Sequence, residues 1–193
     1  MASVAYVGVL LCVSAGLAMG QAAAHDGLAD NTVLIVRHAE KPEKGTMLTP
    51  TGERRAALYA TYFEPFREDG MNVAVDALYA GADSANSSRP RLTLEPIAAR
   101  TGLHLNTDIG TKDTDALIKL LRTTNHPSHP LVSWRHGQIP DLLRSFTASP
   151  DKLLPGGKWP DDVYDWVIVL QFDKVGKLAS QKLLHEHLVV PQS

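Results

Sequence analysis

NTVLIVRHAEKPEKG, residues 31–45, places four consecutive apolar residues, Val33 to Val36, directly ahead of Arg37 and His38. An unbroken apolar run of this length, bounded by polar residues, predicts a strand over 31–37 that is buried on both faces. Such strands belong to parallel sheets covered by helices on both sides. The run ends on a cation and an imidazole, where a buried strand meets solvent, and the loop KPEKGTMLTPTG follows.

The rest of the chain repeats this alternation. Thr49 or Thr51 is placed to cap a helix that starts near Pro50 and carries ERRAALYATYFEPF. VAVDALYA, residues 73–80, predicts a second strand, followed by the polar GADSANSSRP. Pro90 suits the first turn of a helix through RLTLEPIAART, which Pro96 should kink or shorten and Gly102 should end. LHLN is a short strand, TDALIKLLRTT a helix capped by Thr111 or Asp113, and HPLVSW a strand leading straight into a helix over GQIPDLLRSFTA. LPGGKWPDDVY, residues 154–164, has the turn signals of a surface loop. DWVIVLQF is the last strand, and DKVGK turns it into an antiparallel partner, LASQKLL. The predicted fold is a three-layer α/β/α sandwich with a mostly parallel central sheet.

In such sheets ligands bind at the carboxyl ends of the strands. Arg37 and His38 end one strand, Arg135 and His136 end another, and Arg89 follows a third in SSR, 87–89. Arginine offers a planar fork of donors matched to phosphate oxygens. A helix N-terminus beyond His136 would add backbone donors. Neutral imidazole is a nucleophile for phosphorus, and phosphoryl transfer mainly requires positioning and charge neutralisation. The set therefore points to phosphate chemistry that needs no metal or other cofactor.

Four segments in order strengthen this reading. LIVRHAEK resembles the Arg-His-Gly/Ala signature of the histidine phosphatase superfamily, the phosphoglycerate-mutase-like fold. LTPTGERRA (48–56) is similar to its Leu-Thr-x-x-Gly-x-x-Gln/Arg-Ala segment. SSRPRLTLEPIA (87–98) resembles the segment with its second arginine, and LVSWRHGQIPDLL the one with its second histidine. The resemblance implies that His38 forms a phosphohistidine, that Arg37 and Arg89 bind the phosphoryl oxygens, and that His136 donates to them. It also implies a carboxylate as general acid. Glu40, two residues after the nucleophile, is the first candidate, and Asp83 is another. Two positions depart from the pattern: Pro90 stands where Ala is usual, and Arg135 stands where Gly commonly precedes the second histidine. Arg135 is thereby a further candidate phosphate ligand. The lid insertion of many members is absent, so an open pocket and a small or exposed phosphoryl group are expected.

Composition closes off other classes. The 193-residue chain suits one domain, and a formal net charge of −2 leaves no basic surface for nucleic acid. Residues 1–24, uncharged, apolar and ending in small residues, read as a signal peptide, with the apolar part short of the roughly 20 residues a membrane span needs. The phosphatase domain then occupies 25–193, secreted or periplasmic and without a membrane span. Cys12 lies in the leader, so the remainder has no cysteine for disulfides, thiol catalysis or Cys-based zinc sites. HPSHP (His126, His129) and HEH (His185, His187) lack a third ligand and read as surface histidines. The predicted activity is hydrolysis of small-molecule or protein phosphomonoesters. A phosphomutase and a phosphate-binding module of the same fold are the alternatives.

Overall fold

A computed structural model describes, apart from Met1, residues 26–124 and 129–191. The proposed leader and His126 lie outside the described residues. Six strands form one sheet in the order β3-β2-β4-β1-β5-β6. They are β1 (Thr32–Arg37), β2 (Ala77–Ala80), β3 (Leu105–Asn106), β4 (Pro130–Trp134), β5 (Trp166–Phe172) and β6 (Leu178–His185). β1, β2, β3 and β4 run parallel, while β5 is antiparallel to β1 and β6 to β5.

β1 is central and buried throughout, as its unbroken apolar run requires. Its alternate residues feed two cores. Val33 and Ile35 pack with Leu117 and Leu121 of α3 (Thr114–Arg122) and Ile139, Leu142 and Leu143 of α4 (Ile139–Ser145). Leu34 and Val36 pack with Tyr59 of α1 (Pro50–Tyr62) and Leu94 and Ile97 of α2 (Arg89–Thr101). The result is the expected helix–sheet–helix sandwich.

Local details depart from expectation in instructive places. Thr49, not Thr51, caps α1, its hydroxyl accepting from Gly52 N at 3.1 Å. The second strand begins only at Ala77. Val73 instead exchanges two backbone bonds with Phe66, which folds 66–73 back on itself and buries both side chains. Pro96 does not shorten α2, which continues to Thr101 and is closed by left-handed Gly102 (φ 73°) donating to Ala98 O. His136 opens a 3-10 turn (His136–Gln138), so the α-helix itself starts at Ile139, two residues later than expected. A short helix, α5 (Pro150–Leu153), was not legible, and the 154–164 loop is no plain surface loop: Leu154, Gly157 and Trp159 are buried.

Candidate active site

The parallel strands β1, β4 and β2 carry their carboxyl ends to one edge of the sheet, and the three predicted groups meet there. Arg37 is the last residue of β1 and His38 the next. His38 N donates to Trp134 O at 3.0 Å, which ties the nucleophile candidate to the end of β4. Arg89 opens α2 and is buried with its side chain turned to the loops, donating to Gly45 O (2.8 Å) and Asn86 O (3.3 Å). The rings of His38 and His136 stand edge to face, 6.2 Å between centroids at 78°.

His38 is only 2 % exposed. Its Nδ1 lies 2.8 Å from Ala39 O. A carbonyl only accepts, so neutral His38 holds its proton on Nδ1 and keeps a bare lone pair on Nε2. Burial pushes the imidazole down to about 3; the bond to Ala39 opposes this, and Arg37, Arg89 and His136 add to it. The ring is therefore neutral, and nucleophilic, across the ordinary pH range.

Arg37 is wholly buried and anchored without a carboxylate. Its Nη1 donates to Pro160 O (3.0 Å) and Val163 O (2.9 Å), and its guanidinium carbon sits 3.8 Å from the Tyr164 ring centroid. Nε and Nη2, one edge of the fork, are left without partners, as is Nε of Arg89. Burial lowers the pKa of both arginines, with Arg135 contributing at Arg89 and Tyr164 opposing at each. Unpaired donors on charged, buried groups are costly unless an anion completes them.

His136 Nε2 contacts Asp161 Oδ1 at 2.7 Å, while its Nδ1 is buried and unpartnered. Burial and Arg37 lower its pKa; Asp161 opposes them. Arg135 is half-buried and close enough to Arg89 to act on its charge. Thr93, fully buried, joins two arms of the site: it accepts from Ala39 N (2.9 Å) and donates to Arg89 O (2.8 Å).

The two candidate acids lie differently. Glu40 accepts from Arg55 on both oxygens, at 3.0 and 3.1 Å from Nε and 2.8 Å from Nη2. Arg55 also pairs with buried Glu186. Glu40 and Tyr164 share an open groove with Thr51, Arg55, Asp162 and Asp165. Asp83 is exposed and pairs with Arg91 at 2.9 Å. The groove is open as expected, but His38 itself is almost wholly buried, with Arg89 and Arg37 bonded to the Gly45 and 160–163 loops.

Sequence reasoning missed Thr93 as a contact, Asp161 and Tyr164 on the loop, and Arg55 as the partner of Glu40. The WPDDVYDW run, dense in aromatic and acidic residues, was the available signal for the loop. Among the described residues no group of three or more His, Cys, Asp or Glu is placed to hold a metal. His129 Nδ1 accepts from Thr32 N at 3.2 Å, and His185 sits edge-on to Trp166. Also among the described residues, no helix is long and apolar enough to cross a membrane.

No protein-family model matches the sequence, and no curated protein matches it. Solved structures do. A protein histidine phosphatase SixA complexed with tungstate superposes with a TM-score of 0.53 at 16% identity, covering 78% of this chain and 95% of that one. Phosphoglycerate mutase from Plasmodium falciparum gives 0.50 at 16% identity, covering 84% and 96%. A mutant phosphoserine phosphatase from Entamoeba histolytica, in complex with phosphoserine, gives 0.50 at 14% identity, covering 78% and 96%. These share the sandwich described above. The chain has the phosphoglycerate-mutase-like fold.

Proposed function

We propose that the protein is a phosphomonoester hydrolase that works through a phosphohistidine on His38 and needs no metal. One observation carries the reading: a buried imidazole with a bare Nε2 lies among unpaired donors of Arg37 and Arg89 and the unpartnered Nδ1 of His136. In the first step the Nε2 lone pair attacks phosphorus, the bond to the ester oxygen breaks, and the leaving oxygen takes a proton. In the second, water attacks phosphorus, the N–P bond breaks, and neutral His38 returns with inorganic phosphate released. The Nε–Nη2 edge of Arg37 grips two phosphoryl oxygens. Arg89 and His136 neutralise the rest, and Arg135 adds charge at the mouth. Glu40 remains a candidate acid, provided it leaves Arg55.

Neighbours named as a protein histidine phosphatase and a phosphoserine phosphatase support a phosphorylated substrate, of small-molecule or protein origin. We also propose export, with residues 1–24 as the signal peptide. Amino-terminal sequencing of the secreted protein tests that part.

The central test is turnover of an aryl phosphate by purified protein, with and without EDTA, beside His38→Ala. Activity that survives the chelator and vanishes in the variant is expected. Full activity in His38→Ala, or loss with EDTA, refutes the mechanism. The phosphoglycerate mutase neighbour gives a second reading, transfer to a hydroxyl acceptor. Trapping the phosphoenzyme and supplying water or a sugar alcohol separates the two. Binding of vanadate without turnover would indicate a phosphate-binding module instead.

A further inference from the structure

Resting on the phosphohistidine reading, we propose that Asp161 is a positioning residue that fixes His136 as the proton shuttle, donor to the leaving oxygen in the first step and acceptor from water in the second. The argument begins with the tautomer. Asp161 Oδ1 lies 2.7 Å from His136 Nε2, and a carboxylate only accepts, so Nε2 carries a proton in either charge state of the ring. The exchangeable position is then Nδ1. That atom is buried, has no protein partner, and belongs to the ring that stands edge to face with His38.

The two acids that the sequence offers are committed elsewhere. Both oxygens of Glu40 accept from Arg55, and Asp83 accepts from Arg91. Asp161, by contrast, is held next to the chemistry by the phosphate grip itself. Its neighbours Pro160 and Val163 supply the carbonyls that anchor Arg37, so one loop sets both the arginine and the histidine.

The charged groups acting on His136 are Arg37, Lys41 and Asp161; the neutral His38 ring stands edge to face with it, and Asp141, Arg144, Asp151 and Lys158 line the same cleft. Arg37 and Lys41 disfavour the imidazolium; Asp161 favours it, and a bound phosphoryl dianion would add to Asp161. With the ester bound, Nδ1–H passes its proton to the leaving oxygen as the P–O bond breaks. His136 becomes neutral, still donating from Nε2 to Asp161. In the second step water forms its bond to phosphorus and gives a proton to Nδ1, which restores the imidazolium.

The Asp161 side chain is 83% exposed, so Asp161→Asn should fold normally. The experiment compares kcat/KM on an alkyl phosphate, whose leaving oxygen needs a proton, and on 2,4-dinitrophenyl phosphate, whose does not. In Asp161→Asn the alkyl-to-aryl ratio should fall roughly tenfold, at the low end of general-acid effects. Asp161→Glu should restore part of it. The limb on which alkyl activity falls with rising pH should also move to lower pH, because the group that retains the proton is gone. An unchanged ratio and an unmoved limb, in a wild type that turns over both substrates, overturn the proposal alone. Absence of a phosphoenzyme on His38 removes both the proposal and the reading beneath it.

Discussion

Thr93→Val isolates one hydroxyl at constant shape. Thr93 is fully buried on α2 and is the link between the peptide after the nucleophile and the carbonyl of Arg89. Valine keeps the β-branch and nearly the volume, so helix packing is retained. What disappears is the acceptor for Ala39 N and the donor to Arg89 O. Ala39 is itself fully buried, so its N–H is left unsatisfied, at a cost of about 1–3 kcal/mol. For a domain of this size that corresponds to a fall in Tm of roughly 2–12 °C. The same residue's carbonyl holds His38 Nδ1, so the nucleophile loses its reference point. A misplacement approaching 1 Å costs about a hundredfold in rate, and a smaller one proportionately less. A loss of roughly ten- to hundredfold in kcat on an aryl phosphate is expected, with KM little changed, since the unpaired arginine donors remain. Thr93→Ser, which keeps the hydroxyl, should recover most of the rate. Thermal melts by circular dichroism and steady-state kinetics measure both effects. Wild-type Tm and kcat in Thr93→Val would show that this link does not hold the site together.

Other expectations follow from charge and burial. The His38 pKa is depressed in the folded protein, to about 3 against an ordinary 6.5. Its contribution to stability is present above about pH 6.5 and is lost as pH falls toward 3, because the unfolded chain takes up the proton first. His38→Gln should flatten the acid limb of urea-unfolding free energy by a few kcal/mol; an unchanged limb would count against a neutral buried ring. Arg55→Ala strands Glu186 and Glu40 around a buried site and should cost about 3–5 kcal/mol by the same measurement, a loss below 1 being contrary. Arg37→Lys keeps the charge but loses the fork and the two carbonyl anchors. It should lower kcat/KM by at least about a hundredfold, or roughly 2.7 kcal/mol, and near-normal kinetics would mean that a point charge suffices.

The sheet and the groups at its edge were legible because they are written in local patterns. The Val33–Val36 run, its neighbours' helical segments and the strand-end placement of Arg37, His38, Arg89 and His136 all follow from short stretches of sequence. What escaped depends on contacts between distant segments. The anchors of Arg37 are main-chain carbonyls 123 and 126 residues away, and a carbonyl has no residue signature. Turn-rich LPGGKWPDDVY reads as surface because nothing in it declares that Arg37 will pull it inward. Glu186, in HEH, looks like any polar residue of an edge strand until Arg55 buries it. Glu40 shows the opposite case: its position beside the nucleophile was legible, but its engagement with Arg55 was not. The backbone pairing of Phe66 with Val73 likewise shortened a strand that periodicity alone would have run from 73.

The way Arg37 is secured has an evolutionary consequence. Carbonyl oxygens at 160 and 163 are supplied by the main chain, so mutation there changes the side chain without removing the anchor, so long as the loop keeps its path. Selection can thus revise the exposed side chains at 158 and 162, and with them what the mouth of the site admits, while the phosphate grip stays constant. The loop is where descendants of this protein would diversify first.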